Sequence, residues 1–496
     1  MTSMNWSAAS PEIVLLVMAC VVAMVDLWVK DPRRTVTYVL TLASIAVFGV
    51  MHWIAYSEGN TIYAMQRMVV SDPMGHLLGL FAAIAVIVTL VYARPYVGTR
   101  ELLNGEFFSL TMFSLLGVAV MLSANNFLVI YLGLELMSLS LYALTAMRRD
   151  HADATEAAMK YFVLSALSSG FLLYGLSMMY GATGSLELGE VFKAIATGQI
   201  NQAVLILGLV FVVAGLGFKF GAVPFHMWIP DVYQGAPTAV TLLIGAAPKL
   251  AGFAIAIRLL VEGMLGLALD WQQMLVVMSI GSMLIGNVVA IAQTNLKRML
   301  AYSTIAQSGF MLLGLLAGVV GDSTLLAANA YSSALFYIVT YVLTTLGSFG
   351  MIMLLARQGF ESEEIDDLRG LARRSPWLAA MMAIFMFSLA GAPPTVGFYA
   401  KLAVLQALVS TNEIGLIWLA VAAVVFSLIG VFYYLRIVKV MYFEAPGDAQ
   451  DMPAVEPPFE VRAVMSLNGA AVLLLGILPG GLMALCAHAI VKTLAT

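Results

Sequence analysis

The chain has 496 residues, 61% hydrophobic and 10% charged, with a net charge of −4 and a mean hydropathy of +0.95. Soluble domains carry roughly 25% charged residues, so this composition excludes a soluble domain and points to an all-α polytopic membrane protein. The two cysteines, Cys20 and Cys486, lie far apart with no Cys-x-x-Cys or Cys/His cluster, which argues against iron–sulfur, zinc and c-type haem centres.

Apolar runs of about 20 residues predict fourteen spanning helices. The first three cover 12–29, 35–56 and 73–93. The first run has no basic leader and no small-residue cleavage pattern, so it is expected to span. The fourth and fifth, 107–123 and 125–147, are joined by the short turn Ser123-Ala-Asn-Asn126, which predicts antiparallel neighbours. Glu135 falls near the middle of the fifth, and Lys160 near the start of the sixth, 156–181. The seventh, 203–230, carries Lys219 followed by Gly221, Pro224 and Pro230, and the eighth, 238–261, carries Lys249. The ninth to eleventh cover 272–293, 299–320 and 325–356. The charged stretch Gln358 to Arg374 reads as a solvated loop or a docking surface. The twelfth, 377–410, contains Pro393, Pro394 and Lys401; the thirteenth and fourteenth cover 414–443 and 463–489.

Charge sets an orientation. Of the 24 lysines and arginines, sixteen fall in loops after odd-numbered spans. Four (Arg67, Lys193, Arg258 and Lys492) fall at or after the ends of even-numbered spans or in the tail, and the remaining four lie inside spans. Basic loops stay on the cytoplasmic side, so both termini are expected on the periplasmic side of a bacterial inner membrane.

The buried charges carry the functional reading. A charge near the bilayer centre costs about 2.5–3.5 kcal/mol on insertion scales and marks ion or proton paths by default. Glu135, Lys219, Lys249 and Lys401 all sit deep in their spans. Lysine suits a proton station because its proton affinity responds to burial, whereas arginine's does not. Lys160 is close enough to a helix end to snorkel instead. For Glu135 the plain reading is a static ion pair. His226 either guards an entrance or packs the Pro230 turn. Ser165, Ser168, Ser169, Ser303, Thr304 and Gln307 either hold water or pack helices.

The seventh and twelfth spans are interrupted by glycine and proline beside a lysine. Freed backbone groups at membrane depth survive only where protein or a cavity covers them, and paired interruptions point to a transport site; the plain alternative is a kink that shapes packing. Spans five apart have opposite orientations, which predicts two inverted five-helix repeats, spans 4–8 and 9–13. The expected division is an N-terminal three-helix segment at 1–106, a first half-channel at 107–261, a second at 262–443, and a loop with the last span at 444–496.

Four motifs carry a resemblance: Tyr131-x-x-x-Glu135-x-x-Ser138-Leu-x-x-Tyr142, Phe218-Lys-x-x-x-x-Pro-Phe-His-x-Trp-x-Pro-Asp231-Val-Tyr-x-Gly-Ala-Pro-Thr238, Lys297-Arg-x-x-Ala-Tyr-Ser-x-Ile305 and Pro393-Pro-x-x-Gly-Phe-x-x-Lys401. Together they resemble the antiporter-like subunits of respiratory complex I, from about the fourth to the thirteenth span. The Pro-Asp-Val-Tyr-Gln-Gly-Ala-Pro-Thr loop and lysine at 401, where the M-type branch usually has glutamate, resemble the N-type branch. The resemblance implies a proton-translocating membrane-arm subunit of NADH–quinone oxidoreductase. Glu135 and Lys219 would form its charged pair, Lys249 the middle relay and Lys401 the base of the second half-channel. It also implies no cofactor in this chain, with flavin, iron–sulfur clusters and quinone in partner subunits. Partners would be the other membrane-arm subunits, lipid and protons, and no nucleic acid. A subunit of a multi-subunit cation/proton antiporter has the same motifs and is the alternative. A solute transporter fits less well, because the buried charges are nearly all of one sign.

Overall fold

The computed structural model describes residues 4–198, 200–319, 323–357, 360–445 and 457–495. Gln358 and Gly359 of the charged stretch, and 446–456 of the loop expected after 444, lie outside the described residues. Helices α1 (Ser10–Asp26), α2 (Thr35–Glu58) and α3 (Pro73–Gly98) form the N-terminal segment, with a hairpin of β1 (Ile62–Ala64) and β2 (Val69–Ser71) between α2 and α3. Asp72 caps α3 by accepting from Gly75 N, with Pro73 at its first position, where a missing N–H costs nothing. Then come α4 (Gly105–Leu122), α5 (Phe127–Thr145), α6 (Ala152–Thr183), α7 (Leu188–Ala196), α8 (Gln202–Phe220) and α9 (Trp228–Gly235). Asn126 caps α5 and Asn201 caps α8 through side-chain oxygens. The expected α4–α5 antiparallel pair is present, and its turn joins the hairpin through an Ala124–Val69 bridge.

The second half runs through α10 (Thr238–Gly245), α11 (Ala247–Ala256), α12 (Ala268–Ile291), α13 (Leu296–Leu316) and α14 (Thr324–Leu355). It continues with α15 (Leu371–Arg374), α16 (Pro376–Ala390), α17 (Val396–Ser410), α18 (Ile414–Phe443), α19 (Phe459–Ile477) and α20 (Gly480–Leu494). Among the described residues, thirteen helices are long and apolar enough to cross a membrane, and α16 and α17 are shorter apolar halves of one further run.

The breaks are where sequence and structure differ most. The seventh run breaks between α8 and α9, with Gly221 at φ +67°, and the twelfth between α16 and α17, with Gly391 at φ +83°. Both breaks were expected. The eighth run was expected to be continuous, yet it is cut at Ala246 (φ −108°, ψ −102°) and ends in a π-helical turn, Ile257–Gly263. Pro248 supplies the reason, because its ring clashes with the carbonyl four residues back in a continuous helix. The last run is likewise interrupted, at Leu478-Pro479.

Burial is graded. The segments Thr238–Gly263, Leu296–Leu316 and Thr324–Leu355 are about nine-tenths enclosed, whereas the outer helices α1, α18 and α19 are mostly open. Close backbone approach tightens the centre. A Cβ on Gly286 of α12 would meet Ala306 N of α13 at 2.6 Å, which only glycine avoids. Most basic residues gather on the face holding Arg34, Arg94, Arg100, Arg148 and Arg298; the hairpin lies on the opposite face.

Candidate functional site

Lys219 stands in the last turn of α8, where Gly221 turns the chain out of the helix. Its Nζ donates to Ser138 Oγ of α5 at 2.9 Å and Ser165 Oγ of α6 at 3.1 Å. Glu135 is one helical turn before Ser138 on α5, and its Oε1 is buried with no hydrogen-bond partner. The two charges are therefore neighbours one turn apart, and no ion pair joins them in this conformation. A cavity of about 20 Å³ separates Lys219 from Lys249, walled by Tyr161, Trp228, Ile244 and Pro248. That is room for one water.

Lys249 lies in the first turn of α11, just past the Pro248 break, and is 3% exposed. Its Nζ donates to Phe220 O at 2.7 Å. That carbonyl is freed because α8 ends there. Lys401 on α17 repeats the arrangement. Its Nζ donates to Leu389 O and Ala390 O, both at 3.1 Å, at the end of α16, and to Ser427 Oγ of α18 at 2.9 Å. A second cavity of about 20 Å³, lined by Gln307, Tyr337, Tyr341, Thr344 and Ser388, adjoins Lys401. In geometry, the partner of Lys401 is thus Lys249 rather than Lys219. Each of the pair follows a proline break and holds a carbonyl that a break has freed.

None of the three lysines makes an ion pair among the described residues. Their partners are carbonyl and hydroxyl oxygens, which accept from an ammonium and from a neutral amine alike. The hydrogen bonds therefore hold the nitrogen without fixing its protonation state.

Lys160 and His226 sit apart from this row. Lys160 bonds Glu156 at 2.6 Å and Asp231 at 2.7 Å, and its side chain is 40% exposed. Arg298 takes the other oxygen of Asp231 at 2.8 Å, so Asp231 ties α6, α9 and α13 together at the basic face. His226 is half-buried within the α8–α9 break, and its Nδ1 has no hydrogen-bond partner. Sequence reasoning passed over Ser427, Ser308, Tyr337 and Tyr434. Ser427 alone had a readable signal, a serine in the middle of an otherwise apolar span. Among the described residues, no three His, Cys, Asp or Glu side chains gather as a metal site would require.

The family model described as NADH:quinone oxidoreductase/Mrp antiporter, transmembrane, matches residues 124–430, a span that contains all three buried lysines. The NADH-quinone oxidoreductase subunit N of Polaromonas naphthalenivorans (strain CJ2) is 62% identical over 488 residues, 98% of this chain and 97% of that protein. A chain of respiratory complex I from Thermus thermophilus, solved with aureothin bound, superposes with a TM-score of 0.80. It is 29% identical and covers 96% of this chain and 99% of its own. A chain of the Mrp complex from Dietzia sp. DQ12-45-1b has the same fold, with a TM-score of 0.84 at 20% identity, over 99% of this chain and 98% of its own. By this full-length identity the chain belongs to the subunit N family of NADH-quinone oxidoreductases, within the wider oxidoreductase/Mrp antiporter family.

Proposed function

We propose that this chain translocates protons as a membrane-arm subunit of a bacterial NADH–quinone oxidoreductase, through Lys219, Lys249 and Lys401, with Glu135 as the charge that switches the first station. The observation that carries the reading is the row of three enclosed lysines without counter-ions, two of them on carbonyls freed by helix breaks. Such residues are costly in a membrane, and a leucine at each place would hold the fold better.

Protons enter from the cytoplasmic side of the inner membrane, where Lys160 and His226 stand nearest the basic face. Lys219 keeps its proton when its amine turns to Glu135, because an adjacent carboxylate favours the charged form. Turned to Ser138 and Ser165, as in this structure, it makes no direct ion pair with Glu135 and lines the one-water cavity that Lys249 also lines. From Lys249 the proton crosses the polar side chains of α13 to Lys401 and leaves on the periplasmic side, where both termini lie. The two half-channels divide the chain at 107–261 and 262–443. Flavin, iron–sulfur clusters and quinone belong to partner subunits, which drive the lysines electrostatically. The second reading, a subunit of a cation/proton antiporter, is favoured by the shared fold and weighed down by 20% identity against 62%.

The test uses assembled complex in membrane vesicles. Lys219→Ala should lower protons moved per NADH oxidised by about tenfold or more, given that a positioned acid–base group contributes ~10²–10⁴. Lys219→Arg should not restore pumping, since arginine does not release its proton at accessible pH. Full pumping by a normally assembled Lys219→Arg complex would sink the relay. Purification with flavin and iron–sulfur proteins is expected; purification with small membrane proteins alone would favour the antiporter.

A further inference from the structure

Helix α13 separates the two carbonyl-bound lysines, and consecutive residues on it reach the two breaks. Ser308 Oγ donates to Phe220 O at 2.8 Å, the carbonyl that Lys249 also holds. Gln307 Nε2 donates to Leu389 O at 3.0 Å, the carbonyl that Lys401 also holds. Gln307 is 6% exposed, and both N–H groups and the oxygen of its amide are engaged. The second N–H goes to Tyr434 Oη at 3.1 Å, and the oxygen accepts from Tyr337 Oη. The amide has only one workable orientation, because Leu389 O accepts and never donates, so the nitrogen must face it.

We propose that Gln307 is a positioning residue for Lys401. It fixes the freed Leu389 carbonyl at the spot where the Lys401 amine donates, and it does so with a side chain that neither binds nor releases a proton. The titratable groups around this carbonyl are Lys401 on α17, Tyr337 and Tyr341 on α14 and Tyr434 on α18. None of Gln307's hydrogen-bond partners is a carboxylate. A glutamate at 307 would set a negative charge beside the Lys401 amine, whereas an amide holds the geometry and adds no charge. The inference rests on the proton-relay reading above.

The experiment compares Gln307→Glu, Gln307→Leu and Lys401→Ala in assembled complex, reading protons moved per NADH and the pH profile of pumping. Gln307→Leu removes the bond that fixes Leu389 O together with the two to tyrosines, and pumping should fall about fivefold, what the Leu389 bond alone is worth. Gln307→Glu nearly keeps the shape but places a carboxylate near the Lys401 amine. An opposite charge at that range favours the protonated form by about one pH unit or more, so the alkaline limb of pumping should move to higher pH. Wild-type pumping and pH profile in both Gln307 variants, with Lys401→Ala inactive, would overturn the positioning role and leave the relay standing. Wild-type pumping by Lys401→Ala would overturn both. Failure of both Gln307 variants to assemble would make Gln307 a fold residue and overturn the proposal equally.

Discussion

Arg258 shows what a single residue hides from the sequence. It was expected in an external loop, yet it is 1% exposed within the π-helical turn after α11. Its guanidinium binds Asp72 at 2.8 Å, Glu262 at 2.9 Å and Leu122 O at 2.9 Å. Asp72 in turn caps α3, so one arginine locks α3, α4 and the turn after α11 together near the hairpin face. Removing one member of a buried ion cluster leaves the others uncompensated, at a cost of about 3–5 kcal/mol. Arg258→Met should therefore lower the thermal stability and amount of assembled complex, with pumping per assembled complex kept. Loss of pumping at normal assembly would contradict this purely structural role. The lysines were legible because a charge inside an apolar run stands out by itself. Arg258 was not, because its meaning depends on Asp72, 186 residues away.

At the scale of elements, legibility followed the strength of the local signal. Pro393-Pro394 and the Gly221/Pro224 pair announce their breaks, since two disruptive residues together leave little doubt about helix continuity. Pro248 stands alone in an apolar stretch, which equally suits a kink within one helix, and the cut at Ala246 is visible only in the backbone. Some connections that hold elements in place can also be tested by pH. Glu361, in the segment between α14 and α15, takes Arg100 at 2.9 Å, Arg148 at 3.0 Å and Tyr96 Oη at 3.0 Å, which ties α3 and the end of α5 to that segment. Partial burial works to raise its carboxyl, but the bonds and charges of Arg100, Tyr96 and Arg148 outweigh this and hold it below the ordinary 4.5. A lowered folded value means that the clamp contributes fully above the ordinary carboxylate range and is lost as pH falls through the lower value. Limited proteolysis between 360 and 370 should thus be slow at neutral pH and quicken only below about pH 4. In Glu361→Gln it should be fast throughout. Equal protection of wild type and variant at neutral pH would remove the clamp.

At the scale of the whole molecule, the number of spans decides where the ends lie. Thirteen long helices alone would put the termini on opposite faces, but α16 and α17 together complete a crossing that neither half makes alone. The C-terminal end is fixed independently. Thr493 Oγ1 accepts from Met74 N at 3.1 Å, and Tyr56 Oη donates to Leu485 O at 3.0 Å, so α20 ends beside the end of α2 and the start of α3. Arg462 at the start of α19 stacks on Trp377 at the start of α16, so α19 and α20 carry one crossing from the basic face to the hairpin face across the Leu478-Pro479 interruption. Arg34 marks the opposite end of α2. Since basic residues are retained on the cytoplasmic side, reporter fusions at Arg34, Arg149 and Arg374 should read cytoplasmic, and fusions after Thr493 should read periplasmic. A cytoplasmic reading at the C-terminus would require α19 and α20 to fold back as a hairpin. That would separate Thr493 from Met74 and break the fourteen-span arrangement on which the proposed half-channels depend.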